Sequence, residues 1–275
     1  MKRNSRLTYT KKDGGRELKQ SSVTPEQVAT ESVHPFPTLS LPEGYTKTDG
    51  IFSYSLACVI SGGTTREKVF LNELVKKHTF RGLEIIFISS SQGEGGLTPR
   101  MMQKAYHLLC KDGVICIGTR HITLEEVDAI YLFTDVDHYA DELAELLATA
   151  TDRRKEWIIS NPNFEIWIYY CFRNAPHEEL KEMLEAEPSQ RSSLLKQLNG
   201  RFNNGGGLDT RKAFEQIEDG IVHSRSHYSE DACGIPCLFS TQMHIFAEYV
   251  LHKLGDEFLR WKQIKATQRI NRRKR

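Results

Sequence analysis

Four short apolar runs, each closed by polar or glycine-rich sequence, frame the chain. They are Phe52–Ile60, ended by Gly62-Gly63; Leu83–Ile88, followed by the polar loop Ser89–Gly96; Ala129–Thr134, ended by Asp135-Val136-Asp137-His138; and Glu156–Ile159, broken by Ser160-Asn161-Pro162. Short runs that are apolar throughout predict strands buried on both faces. Between them the period changes. Thr64-Thr65-Arg66-Glu67 opens a helix towards Lys77, with Val69, Phe70 and Leu74 on one face. Thr98-Pro99 has the N-cap and first-turn chemistry of a helix reaching Cys110. Ala140–Ala148 and Phe164–Phe172 read as helices too, and Val114–Ile117 as a short strand in an insertion. Strands alternating with helices predict an α/β fold with a mainly parallel four-stranded sheet flanked by helices. The run at 129–134 is the longest uninterrupted one and is expected at its centre.

The rest of the chain organises around that core, expected over residues 51–175. Residues 176–260 read as a mainly helical region, with candidates at Pro176–Glu187, Gln190–Leu198, Thr210–Glu218 and Thr241–Leu254 and a joint at Gly205-Gly206-Gly207. Residues 1–50, punctuated by Pro25, Pro35, Pro37 and Pro42 and without a sustained period, read as a flexible basic arm. Residues 261–275 read as a basic tail.

Charge sharpens this division. Residues 1–20 carry +5 and residues 260–275 carry +8, which leaves −12 for the remainder of a chain whose formal total is +1. Basic ends suit phosphate backbones or another acidic surface, or simply solubility. An acidic body suits a cation site better than a preformed nucleic-acid groove. No run approaches the roughly 20 apolar residues of a membrane span, and the polar N-terminus has no signal-peptide pattern, so a cytoplasmic protein is expected. Cys233 and Cys237, with His223 and His227 upstream, have loose zinc-ligand spacing; ordinary thiols and surface histidines are the favoured reading.

In parallel sheets the chemistry lies at the carboxyl ends of the strands. That rule selects the loops Ser61–Thr65, Ser89–Gly96, Asp135–His138 and Ser160–Glu165. Asp135 and Asp137, at i and i+2 beyond a buried strand, are hard oxygen ligands suited to Mg²⁺ or Mn²⁺. The bland alternative makes Asp137 a cap for the helix that follows, and Glu165 a first-turn acid favoured by the helix dipole. Gly62-Gly63-Thr64-Thr65 could present backbone N–H groups to a phosphate. It lacks a P-loop lysine and the Rossmann glycines, so a nucleotide-cofactor role is the weaker option.

Two segments together carry a family resemblance. Asp128-Ala129-Ile130-Tyr131-Leu132-Phe133-Thr134-Asp135-Val136-Asp137-His138 and Ser160-Asn161-Pro162-Asn163-Phe164-Glu165-Ile166-Trp167 resemble the paired signature of RloB-family proteins. That family is similar to Toprim domains, the metal-dependent catalytic folds of topoisomerases, primases and OLD-type nucleases. Gly95-Gly96-Leu97-Thr98-Pro99 fits its glycine-rich loop, and Ser240-Thr241 is a weaker echo of a polar helix start. The resemblance covers roughly residues 54–175. It implies a Toprim-like nuclease, or a nuclease-derived effector subunit, of a bacterial phage-defence system, working with an ABC- or AAA-type ATPase on DNA or RNA. It also implies Mg²⁺ or Mn²⁺ on Asp135, Asp137 and Glu165, the same three as catalytic residues, and substrate contacts from Ser61, Gly62, Thr65 and Asn161. Self-association into a homo-oligomer is equally allowed.

One departure matters. The family's first strand usually ends in an E-G-x-x-T-E pattern, and here Ser61 stands at the first Glu and Arg66 at the second, with Gly62 and Thr65 matching. Serine cannot hold a proton near neutral pH for acid–base work. Three outcomes are open: Glu67 or Glu94 substitutes, the site binds without cutting, or it is inactivated. The last two would make the chain a degenerate sensor or assembly subunit that docks on the ATPase.

Overall fold

A computed structural model describes residues 55–75, 79–90, 96–111, 114–117, 120–123, 129–149 and 155–273; the arm at 1–50, Glu94 and most of the Ser89–Gly96 loop lie outside the described residues. The strands are β1 (Ser55–Ser61), β2 (Leu83–Ile88), β3 (Cys110–Lys111), β4 (Val114–Ile117), β5 (Arg120–Thr123), β6 (Ala129–Asp135) and β7 (Lys155–Ser160). β1, β2, β6 and β7 form one all-parallel sheet in the order β2-β1-β6-β7. The strand expected at its centre, β6, is interior, as is β1. The short strands β3, β4 and β5 pair antiparallel as a separate small sheet. Only β4 is predicted by the sequence, because two flanking strands this short and mixed in polarity carry no readable period.

Both faces of the parallel sheet are buried, and the strands divide their side chains between two cores at period two. Leu56, Cys58, Ile60, Ile130, Leu132 and Ile159 pack on one face. Helix α3 (Pro99–Leu109) covers them with Met102, Ala105 and Tyr106. Thr98 caps α3 as expected, its Oγ1 accepting from the Met101 amide at 3.3 Å. Ala57, Val59, Tyr131, Phe133 and Ile158 face the second core.

The helices on that side are α1 (Arg66–Phe70), α2 (Asn72–Val75), α5 (Glu165–Tyr170), α6 (Pro176–Glu179), α7 (Pro188–Arg201), α8 (Thr210–Ala213), α9 (Ile217–Ser226), α10 (Met243–Leu254) and α11 (Asp256–Arg273), whereas α4 (Ala140–Ala148) joins α3 through Leu143. The single helix expected from Thr64 is thus two short ones, and the one expected over Thr210–Glu218 is α8 followed, beyond a 3₁₀ turn, by α9. The C-terminal helical region completes the main core. Phe246 of α10 meets Tyr131 and Phe133 of β6 edge-on, with ring centroids 5.1 and 4.9 Å apart.

The basic stretch expected as a tail is helical through Arg273. Its surface ion pairs, Lys265 with Glu73 and Arg269 with Glu215, are worth about 0–1 kcal/mol each. The buried rings of Phe258 and Trp261 contribute more, on the order of 2 kcal/mol apiece, so packing rather than charge holds the helix down.

Close packing also explains Gly220 in α9. A Cβ there would stand 2.8 Å from Trp167 Cη2 and 3.0 Å from Cys171 Sγ, both in the fully buried α5 segment. Gly220→Ala should therefore destabilise the protein by about 1–3 kcal/mol through overpacking, although alanine normally strengthens a helix. Denaturant unfolding measures this, and a neutral or stabilised variant would contradict the packing.

Candidate active site

The strand order turns back at β1 and β6, and the crevice beyond their carboxyl ends is the switch point where α/β sheets bind ligands. β1 ends in Ser61, which is fully buried and accepts the Gly63 amide on its Oγ at 3.2 Å. The Gly62 amide donates to the Phe133 carbonyl at 2.8 Å, extending the β1–β6 ladder and laying Gly63 beside the end of β6. Gly62 is also confined from the other side, since a Cβ would stand 3.0 Å from the Leu97 carbonyl. Thr65 is exposed, with its Oγ1 3.4 Å from that of Thr64.

Glu67 lies in the first turn of α1 and is buried. Its carboxylate folds back over Gly63, so that a Cβ on Gly63 would land on it. A buried carboxylate thus lies beside the end of β1 through the space a glycine leaves, six residues after Ser61.

Asp135 is the last residue of β6 and pairs with Ser160 of β7. Beyond it the chain is pinned to the neighbouring loop: the Val136 amide donates to the Ser160 carbonyl at 2.9 Å and the Asp137 amide to the Pro162 carbonyl at 3.1 Å. Asp137 takes φ of +25°, costly backbone for a residue with a side chain. Its Oδ1 is buried without a hydrogen bond, 3.4 Å from His138 Nε2. It does not cap α4, whose N-cap is Tyr139. Capping therefore does not account for Asp137.

The segment Ser160–Trp167 works mainly as a joint. The Asn161–Pro162 peptide is cis. Ser160 Oγ lies 2.7 Å from Thr241 Oγ1, and the Asn161 amide nitrogen donates to the Ser240 carbonyl at 2.9 Å. Asn161 Nδ2 donates to the Pro236 carbonyl at 2.7 Å, so this candidate substrate contact is engaged within the fold. The two echoes of the family pattern, around residues 160 and 240, are thus neighbours in space. The joint aims Glu165 at the site. Asn163 Oδ1 accepts the Glu165 amide at 3.2 Å, Asn199 Nδ2 donates to the Glu165 carbonyl at 2.9 Å, and Glu165 Oε1 lies 3.7 Å from Arg66 Nε.

These acids feel one another. Burial, then the charges of Glu67 and Glu165, holds the Asp135 carboxyl well above the usual range; the Phe164 amide opposes this and Asp137 adds to it. Burial pushes Glu67 up to about 7, with Glu165 adding to the rise and its own amide, Lys196 and Arg66 opposing it. Glu165 is raised by burial against the pull of Lys196 and Arg66. Asp135, Asp137 and Glu165 were all expected from the sequence, and Glu67 was foreseen only as a substitute.

Carboxylate oxygens and an unbonded buried Asp137 Oδ1 are the donor chemistry of a hard divalent cation. Among the described residues no group of three or more His, Cys, Asp and Glu is already drawn into an arrangement that could hold a metal ion. The zinc spacing at the C-terminal cysteines fares no better. His223 Nδ1 donates to the Tyr170 carbonyl at 2.8 Å and His227 Nε2 to the Asn174 carbonyl at 3.1 Å, while Cys233 and Cys237 are exposed free thiols. Among the described residues no helix is long and apolar enough to cross a membrane. Comparisons with protein-family models, curated proteins and solved structures gave no match.

Proposed function

We propose that this chain is a Toprim-like, metal-dependent phosphodiesterase acting on nucleic acid, as the RloB resemblance implies. One observation carries it: Asp135 at the end of β6, and Glu67 and Glu165 in the helix starts that follow β1 and β7, meet as buried carboxyls at the switch point, with Asp137 beside them. Buried carboxyls that raise one another in this way cluster at functional sites. Asp135, Asp137 and Glu165 would hold Mg²⁺ or Mn²⁺, with Glu67 in the role of the strand-end acid. When bound, the cation would stabilise charge developing on phosphate oxygens and activate water. The chain's own contribution is placement. The Pro162 carbonyl fixes Asp137, the Ser61 hydroxyl fixes Gly63, and Gly63 admits Glu67. On this reading the protein is a cytoplasmic nuclease or nuclease-derived effector of a phage-defence system, acting with an ABC- or AAA-type ATPase.

A second reading, a degenerate assembly subunit docking on that ATPase, draws on Ser61. Its hydroxyl is buried and spent on Gly63, so it does no acid–base chemistry. Metal binding and cleavage separate the two. At roughly 100 times the dissociation constant, Mn²⁺ should stabilise the protein by about 2.7 kcal/mol, several degrees in melting temperature. Asp135→Asn with Asp137→Asn should remove that rise and with it Mn²⁺-dependent cleavage of DNA or RNA. An equal rise in the double variant excludes the pair as the cation site. Cation binding without cleavage, with and without the ATPase, favours the assembly subunit.

A further inference from the structure

Next to the acid cluster, on the side of Arg66 and Lys196, the surface opens into a cavity of about 280 Å³. It is lined by Arg66, Glu165, Lys196, Thr210 and the loop Gly205–Gly207. Its wall carries two cations and one carboxylate, and that carboxylate is the Glu165 shared with the acidic site. None of the loops selected from the sequence as sites forms the cation side of this cavity.

We infer that this cavity is a phosphate subsite, which holds a backbone phosphate of a single nucleic-acid strand beside the acid cluster. The inference rests on the phosphodiesterase reading for its choice of ligand. Four observations support it. First, charge demands it: a polyanionic strand approaching Glu67, Asp135, Asp137 and Glu165 is repelled unless cations stand close by. Arg66 and Lys196 stand there, near enough for both Glu67 and Glu165 to feel their charge.

Second, the cations have capacity left. Arg66 contacts Glu165 through Nε at 3.7 Å and donates from Nη1 to Thr210 Oγ1 at 2.9 Å, and the remaining N–H groups of its planar fork suit phosphate oxygens. Lys196 is exposed, and among the described residues no carboxylate stands within ion-pair distance of it.

Third, part of the lining is bare backbone. A Cβ on Gly205 would meet nothing within 4 Å, and Gly205 takes φ of +81°, so open space remains there that a side chain would fill. Fourth, the cavity is large enough: about 280 Å³ has room for one phosphate with part of its sugar, entering as part of a strand.

The test uses the full chain in EDTA, so that cation binding plays no part. The probe is a short single-stranded oligonucleotide, dye-labelled and followed by fluorescence anisotropy across a salt series. Wild type should bind. Lys196→Glu and Arg66→Gln should each weaken binding about tenfold at low salt, and each should flatten the salt slope by roughly 0.7. Lys253→Glu makes the same charge change beside Gly82, at the amino ends of the strands, and should bind as wild type. Lys196→Ala at an exposed position keeps the test valid if Arg66→Gln, which leaves Glu165 without its partner, folds poorly.

Unchanged binding in Lys196→Glu and Lys196→Ala overturns the subsite. So does inorganic phosphate binding as tightly as the oligonucleotide with the same dependence on Lys196, which would make free phosphate the ligand. The Asp135→Asn, Asp137→Asn variant should bind the oligonucleotide in EDTA at least as well as wild type. Failure of the metal reading therefore appears in the Mn²⁺ melting shift and failure of the subsite in EDTA binding, and each can fail alone.

Discussion

Without metal, Glu67→Gln should melt higher than wild type at about pH 8 and nearly level with it at about pH 4. The Glu67 carboxyl sits at about 7 in the folded protein against an ordinary 4.5. Between those values the native state keeps a proton that the unfolded state has lost. Stability therefore falls as pH rises from 4.5, and the loss is complete above about 7. Glutamine copies the protonated shape and escapes the penalty. The shift corresponds to roughly 3 kcal/mol, or about 5–10 °C at the high-pH end. Asp135 adds to the effect, since the Glu67 charge is one of the causes that raise it. Adding Mn²⁺ at high pH should reverse the order, because wild type then gains the charge pairing that the variant lacks. A variant that melts lower than wild type at pH 8 without metal would show that Glu67 is not the strained acid.

Much of this site was legible because parallel β-strands write themselves plainly. Strands covered on both faces need apolar residues at every position, so Ala129–Thr134 announces itself and Asp135 marks its end. The rule that function gathers at carboxyl ends then brought Asp135, Asp137 and Glu165 together from residues thirty apart. Glu67 was harder. Position along β1 points to Ser61, whereas the carboxylate beside that strand end reaches it by doubling back over Gly63. The sequence signal is a side-chain-free residue, with an acid one helical turn further on.

The cavity beside the site was illegible. Arg66, Lys196 and Thr210 belong to three segments whose proximity depends on how α1, α7 and α8 pack. The C-terminal basic stretch misled for a related reason. Its lysines and arginines dominate the pattern, while the Phe258 and Trp261 contacts and the partner acids Glu73 and Glu215 belong to other parts of the fold. Asn161, just past the end of β7, donates from Nδ2 to the Pro236 carbonyl, a tie across 75 residues that no local pattern reveals.

Moving the carboxylate between its two addresses should decide whether Glu67 replaces the strand-end acid. If it does, Glu67→Gln should lower Mg²⁺-dependent cleavage by roughly 10²–10⁴-fold, the range for loss of a positioned acid or base. Gly63→Ala should reproduce that loss by another route. The new methyl occupies the place of the Glu67 carboxylate, the far end of a flexible side chain, so the carboxylate swings out while the fold stays intact. Far-ultraviolet circular dichroism should be unchanged, and metal-free stability at about pH 8 should rise as it does in Glu67→Gln. Ser61→Glu alone puts a further carboxylate at a fully buried position beside the others and should lower metal-free stability. Combined with Glu67→Gln, it returns the acid to the end of β1 and should recover part of both the cleavage and the Mn²⁺ melting shift. A double variant no better than Glu67→Gln, or a Gly63→Ala protein with full activity and an unaltered Mn²⁺ shift, would mean that Glu67 is a bystander. The working acids at the switch point would then be Asp135, Asp137 and Glu165, with Glu67 buried beside them without a role.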